Sequence, residues 1–125
     1  MPDIDLPLEG RRVLIVEDEY LIAMEVKRWL QRAGAEVVGP VPTVQRALDL
    51  IEDDGLDAAV LDLNLGGSMT ARPIADRLST LGVPHLFATG DVQLSQDGDG
   101  GAPQLIKPFV EAELIRAVGK LVALT

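Results

Sequence analysis

The chain contains no cysteine. Disulfide frameworks, zinc–thiolate sites and thiol redox chemistry are thereby excluded, and an intracellular setting is expected. His85 is the single histidine, so neither a His-based catalytic pair nor a multi-His metal site can be built. Basic residues are few: 11 Lys+Arg against 20 Asp+Glu leave a formal net charge of −9. That balance argues against nucleic acid and anionic membranes as direct partners. No apolar run approaches the ~18 residues of a membrane helix. The opening Met1-Pro2-Asp3-Ile4-Asp5-Leu6-Pro7 lacks the basic region and apolar core of a secretory signal. These absences lead us to expect a cytoplasmic protein, with negative charge available to hold a cation.

What is present is the composition of one folded domain: 125 residues, 47% hydrophobic and 25% charged. Residues 1–10 read as a loose, Pro-containing arm and 11–125 as the domain. Arg12-Val13-Leu14-Ile15-Val16 is a continuous apolar run that ends at Glu17-Asp18-Glu19. A helical period follows, with Leu21, Ile22, Met24, Val26, Trp29, Leu30 and Ala33 on one face and Gly34 as its C-cap. At that spacing Trp29 is a core residue rather than a functional one. Glu36-Val37-Val38-Gly39 is a short second strand stopped by Pro40 and Pro42. Thr43 caps a second helix carrying Val44, Ala47, Leu48 and Ile51. The Asp53, Asp54, Asp57 group reads as a solvated helix end, not a metal site.

Ala58-Ala59-Val60-Leu61-Asp62 is the key stretch, an apolar run bounded by turn residues and closed by one aspartate. Such a run reads as a strand buried on both faces. A third helix follows, with Pro73 in its first turn, Ile74, Ala75, Leu78 and Leu81 inward, and Gly82 as its stop. Pro84 to Thr89 is the fourth strand, with His85 passive at its start. Gln104-Leu105-Ile106 is the fifth, ending at Lys107, and Glu111–Ala123 is the closing helix. Between the last two strands, residues 90–103 are too rich in glycine for more than a turn of helix near 91–96. Asp97-Gly98-Asp99-Gly100-Gly101 opens like a calcium loop, but Pro108 stands where that loop needs its glutamate. The alternation predicts an α/β fold: a doubly wound five-stranded parallel sheet of order 2-1-3-4-5, flavodoxin-like, with the fourth helix shortened or missing.

In that order the first and third strands meet at the switch point, where ligands bind at the carboxyl ends of the strands. Glu17, Asp18, Asp62, Thr89 and Lys107 all fall at such ends. Clustered carboxylates repel unless a cation joins them, and hard oxygen ligands suit Mg²⁺. Asp62 is the candidate nucleophile for phosphoryl transfer. Mg²⁺ and Lys107 would neutralise the phosphoryl oxygens, and Thr89 would donate its hydroxyl to one of them.

These residues carry a resemblance. The chain resembles the receiver domain of two-component response regulators over about residues 11–124, through Glu17-Asp18, Asp62, Thr89 and Lys107-Pro108-Phe109. The resemblance implies phosphorylation of Asp62 by a histidine kinase or phosphotransfer protein. Asp18, Asp62 and the backbone carbonyl of Asn64 would ligate Mg²⁺, with Glu17 helping directly or through water. It also implies self-phosphorylation and self-dephosphorylation rather than turnover of a substrate, and output by contact with a downstream protein or a role as a phosphate sink. Phe87-Ala88-Thr89-Gly90 and Asp62-Leu63-Asn64-Leu65 look like the single-domain FATGUY receivers of alphaproteobacterial stress signalling, from which Asp91 and Val92 depart. Most receivers carry an aromatic three residues before the lysine. Gln104 stands there, so residues 91–103 become the expected mobile element. The same residues leave open a phosphorylation-independent pseudo-receiver that only binds, and a phosphohydrolase with an aspartyl nucleophile. The latter usually needs a second aspartate where this chain has Asn64. A receiver cut from a longer protein is a further reading.

Overall fold

The computed structural model describes residues 6–53, 55–65, 70–90 and 102–123. Strands β1 (Arg12–Val16), β2 (Glu36–Val41), β3 (Ala58–Asp62), β4 (His85–Thr89) and β5 (Gln104–Ile106) form one sheet, ordered β2-β1-β3-β4-β5. Every pairing is parallel. Among the described residues the helices are α1 (Tyr20–Arg32), α2 (Val44–Asp53), α3 (Arg72–Thr80) and α4 (Glu111–Val122). The expected short or missing helix before β5, and the mobility expected of that segment, concern residues 91–101, which lie outside the described residues.

Strand alternation divides the interior into two cores. Leu14, Val16, Ala59 and Leu61 pack on one face with Ala47 and Ile51 of α2 and Ile74 and Leu78 of α3. Their neighbours Val13, Ile15, Ala58 and Val60 pack on the other face with Val26 and Leu30 of α1 and Leu114 and Val118 of α4. Every residue of β3 is buried, as a strand covered by helices on both faces requires. The flavodoxin-like order is therefore as expected, and it puts the ends of β1 and β3 side by side.

Four local readings need correction. Leu6–Gly10 is not a loose arm: Leu8 is fully buried. Its N–H donates to the Ala33 carbonyl at 2.9 Å, and the Gly10 N–H donates to Gly34 at 3.2 Å. The end of α1 leaves carbonyls without helical partners, and this turn supplies donors for that region. Pro40 does not stop β2, which continues to Val41. β2 is an edge strand, so a residue without an N–H is tolerated. The register skips from Leu14↔Val38 to Val16↔Val41 to absorb the extra residue. Leu21 is 81% exposed; the inward stripe of α1 is Ala23, Val26 and Leu30, and Leu21 lies about 200° around the helix from Ala23. Leu81 is 45% exposed, because it caps α3 from outside the last helical turn.

Thr43 does cap α2, accepting the Arg46 N–H at 3.2 Å. Asp57 is a connecting residue, accepting the Arg12 N–H at 2.8 Å. His85 stays at the start of β4, with Nδ1 3.2 Å from the Val83 carbonyl. Trp29 is only half-buried and meets Phe109 edge-on, centroids 6.4 Å apart.

Gly34 joins α1 to the Leu6–Gly10 turn. Its φ is +101°, and a Cβ there would lie 2.8 Å from the Glu9 Cα. Gly34→Ala should cost about 2–4 kcal/mol, from left-handed backbone strain and overpacking together. Gly82 has φ +74° and nothing within 4 Å, so Gly82→Ala should cost only about 1–2 kcal/mol. Urea unfolding of both variants measures the difference. Equal losses would mean that the turn is not seated against Gly34.

Candidate functional site

The acids are delivered by the two strands whose residues are wholly or almost wholly buried. Asp62 ends β3, and its carboxylate is only 7% exposed. Glu17 follows β1 directly; its N–H donates to the Val41 carbonyl at 3.0 Å, so the unforeseen extension of β2 anchors it. Its side chain is 5% exposed, and Oε2 accepts the Glu19 N–H at 3.2 Å. Asp18, the next residue, is exposed. One carboxylate oxygen from each of Glu17, Asp18 and Asp62 lies within 4.8 Å of the others. This is the one such acidic group found among the described residues.

Lys107 comes from the end of β5. Its backbone N–H donates to the Thr89 carbonyl at 2.8 Å, so the end of β4 positions the lysine. Nζ lies 2.9 Å from Glu17 Oε1, 3.5 Å from Asp62 Oδ1 and 3.8 Å from Glu19 Oε1. Asp62 Oδ1 also accepts the Asn64 N–H at 3.3 Å, which holds the turn after β3 against the carboxylate. Thr89 is 1% exposed at the end of β4. It sits one residue beyond Ala88, the register partner of Asp62.

The charges are not balanced. Asp62 is pushed up to about 8, first by burial and then by its hydrogen bond and repulsion with Glu17; the Lys107 charge opposes this without cancelling it. Burial opposes the charge on Lys107 too, but its hydrogen bond to Glu17 and the charges of Glu17, Asp62 and Glu19 outweigh that and raise its pKa. A cluster of hard oxygen donors that cannot all stay ionised alone fits a small divalent cation such as Mg²⁺. The residues present therefore fit the metal.

All five strand-end residues expected from the sequence, Glu17, Asp18, Asp62, Thr89 and Lys107, gather at one end of the sheet, with Asn64 beside them. The emphasis differs in one respect. Glu17, read as an auxiliary, is the buried acid that touches Lys107, whereas Asp18 is exposed. Glu19 was not singled out, and its spacing carried no signal, because it falls in the helix-entry position after the acidic pair.

The chain matches the family model described as response regulator receiver domain over residues 13–119, and it belongs to that family. It is 34% identical over 112 residues to the transcriptional regulatory protein PdtaR of Mycobacterium tuberculosis, covering 86% of this chain and 55% of that protein. The chain thus spans about half the length of that relative. Among solved structures, SdrG of Sphingomonas melonis Fr1 is 40% identical with a TM-score of 0.79, covering 93% of this chain and 98% of that one. The response regulator PhyR of Brucella abortus shares the fold, with a TM-score of 0.83 at 24% identity over 96% of this chain and 51% of that one.

The imbalance has a measurable sign. Asp62 titrates near 4 in the unfolded chain and at about 8 in the folded one. Between those values the unfolded state gives up a proton that the folded state keeps, so stability falls as pH rises. In EDTA, the melting temperature of the wild type should drop from pH 5 to pH 8 relative to Asp62→Asn, which should be a few degrees more stable at pH 8. Parallel curves for the two proteins would contradict the crowding of charge at Asp62.

Proposed function

We propose that this receiver is a phosphoacceptor. Asp62 takes a phosphoryl group from a phosphohistidine on a histidine kinase or phosphotransfer protein, in a Mg²⁺-dependent reaction, and the signal passes on by protein–protein contact. The observation that carries this reading is the Lys107 ammonium, 3.5 Å from the buried Asp62 carboxylate. It supplies a fixed positive charge beside a nucleophile that water reaches poorly. A carboxylate oxygen of Asp62 attacks phosphorus, and the bond from phosphorus to the donor imidazole nitrogen breaks with the electron pair leaving on nitrogen. Lys107 stabilises charge on the phosphoryl oxygens during transfer, and the Thr89 hydroxyl donates to one of them afterwards.

Glu17, Asp18 and Asp62, with the backbone carbonyl of Asn64, would hold Mg²⁺. Bound there, the ion supplies charge neutralisation both to the crowded acids and to the phosphoryl oxygens. On this reading the protein turns over nothing beyond its own phosphorylation and dephosphorylation. It acts in the cytoplasm, and neither nucleic acid nor membrane takes part. The net charge of −9 supports that exclusion, and among the described residues no helix is long and apolar enough to cross a membrane.

Incubation with Mg²⁺ and acetyl phosphate, followed by intact mass, tests the reading. Wild type should gain one phosphoryl group and Asp62→Asn none; a phosphorylated Asp62→Asn would move the acceptor elsewhere.

Calorimetric titration separates the metal from the lysine. Asp18→Ala should weaken Mg²⁺ binding by about tenfold or more, on the scale of perturbing a metal site. Lys107→Ala should leave Mg²⁺ binding largely intact while slowing phosphorylation. Unchanged Mg²⁺ affinity in Asp18→Ala would remove Asp18 from the metal site.

A further inference from the structure

The residue that fits none of the assigned roles is Glu19. It is the N-cap of α1, yet its side chain makes no capping hydrogen bond. N-cap positions favour short oxygen-bearing side chains that reach back to the helix N–H groups. Here a longer carboxylate, 63% exposed, has Oε1 3.8 Å from Lys107 Nζ. An ammonium carries three N–H donors. The carboxylates around this one are those of Glu17, Asp62 and Glu19, at 2.9, 3.5 and 3.8 Å. The first two are buried and anchored. Only the third is solvent-exposed, and it makes no capping hydrogen bond.

We infer that Glu19 is a positioning residue that competes with the incoming phosphoryl group for Lys107 and so restrains phosphorylation of Asp62. This deepens the phosphoacceptor reading and rests on it. In the resting protein Glu19 is the exposed carboxylate beside the ammonium, and a donor's phosphoryl oxygens arrive from solvent. During transfer Asp62 oxygen bonds to phosphorus and the donor leaves with the electron pair of the broken bond. Lys107 then interacts with the phosphoryl oxygens in competition with the Glu19 carboxylate. Glu17 cannot play this part, because its other oxygen is held by the Glu19 N–H.

The test measures the rate of phosphorylation by acetyl phosphate with saturating Mg²⁺, by intact mass, for wild type, Glu19→Gln and Glu19→Asp. Glu19→Gln removes the charge; Glu19→Asp keeps it but withdraws it by one methylene from Lys107. Both variants should be phosphorylated about two- to fivefold faster than wild type at low salt, the range expected from losing one exposed ion pair. The advantage should shrink toward one in 1 M salt, where exposed charges are screened. The melting temperature of Glu19→Gln should stay close to wild type, since no cap is lost, and that of Glu19→Asp should equal or exceed it, since aspartate is a good N-cap. Wild-type rates in both variants would overturn the inference while leaving the phosphoacceptor reading intact. A faster Gln variant beside an unchanged Asp variant would overturn it too, assigning the effect to a diffuse field and not to the Lys107 contact. An advantage that persists in high salt would assign it to shape, and a wild type that gains no phosphate would remove the phosphoacceptor reading itself.

Discussion

The site depends on holding like charges closer together than they would choose to be. Glu17 and Asp62 are buried within a few ångströms of each other, and Lys107 is the cation set between them. One ammonium does not neutralise two buried carboxylates and an exposed third, which is why burial and Glu17 keep the proton on Asp62 to an unusually high pH. Such crowding persists only if the surrounding structure cannot relax. The backbone supplies that constraint: Glu17 is tied to Val41, and Lys107 to Thr89, by hydrogen bonds of 3.0 and 2.8 Å. On the phosphoacceptor reading, a cation or a phosphoryl group entering here would meet acids and an ammonium already gathered.

The rigidity comes from the sheet. β1 and β3 contribute alternate residues to both cores, so neither strand can slide without exposing apolar side chains on one face or the other. The acids are then the first polar residues after runs that are wholly or almost wholly buried. Sequence reading succeeded for this reason. A continuous apolar run admits few alternatives, and the residue that ends it is placed at the sheet's edge by the run itself. Strand order and the gathering of Asp62, Thr89 and Lys107 followed from that logic.

The misreadings share a different cause: each depended on a tertiary neighbour. Pro40 stops a strand only if its missing N–H was needed, and that depends on β2 lying at the sheet edge. Leu8 looks like part of a polar arm until the end of α1 offers it a buried seat and hydrogen-bond partners. Leu21 lies on the side of α1 opposite its buried stripe and Leu81 just past the last turn of α3, and which apolar residues of a helix are covered depends on what packs against it. The relative weight of Glu17 and Asp18 was equally beyond sequence, since adjacent residues leaving a strand point in different directions. Only the bend after β1 decides which turns inward.

Acids and base are held unequally, and that asymmetry bears on how a signal would leave the site. Asp62 ends the most buried strand, whereas Lys107 follows β5, a three-residue edge strand that is at best partly buried. Gln104, in register with Phe87, gives β5 no bulky ring with which to anchor itself. The segment after Lys107 is held instead by α1. Phe109 meets Trp29 edge-on, and Arg32 binds Glu111 through two hydrogen bonds of 3.0 and 2.8 Å. A phosphoryl group on Asp62 would meet the lysine first, since Nζ already lies 3.5 Å from Oδ1. Phe109, two residues beyond Lys107, joins that end of the chain to Trp29 through the ring contact. The α1 face beside Trp29 is therefore the part of the helical layer joined to the end of β5, while the buried strands β1 and β3 hold the acids.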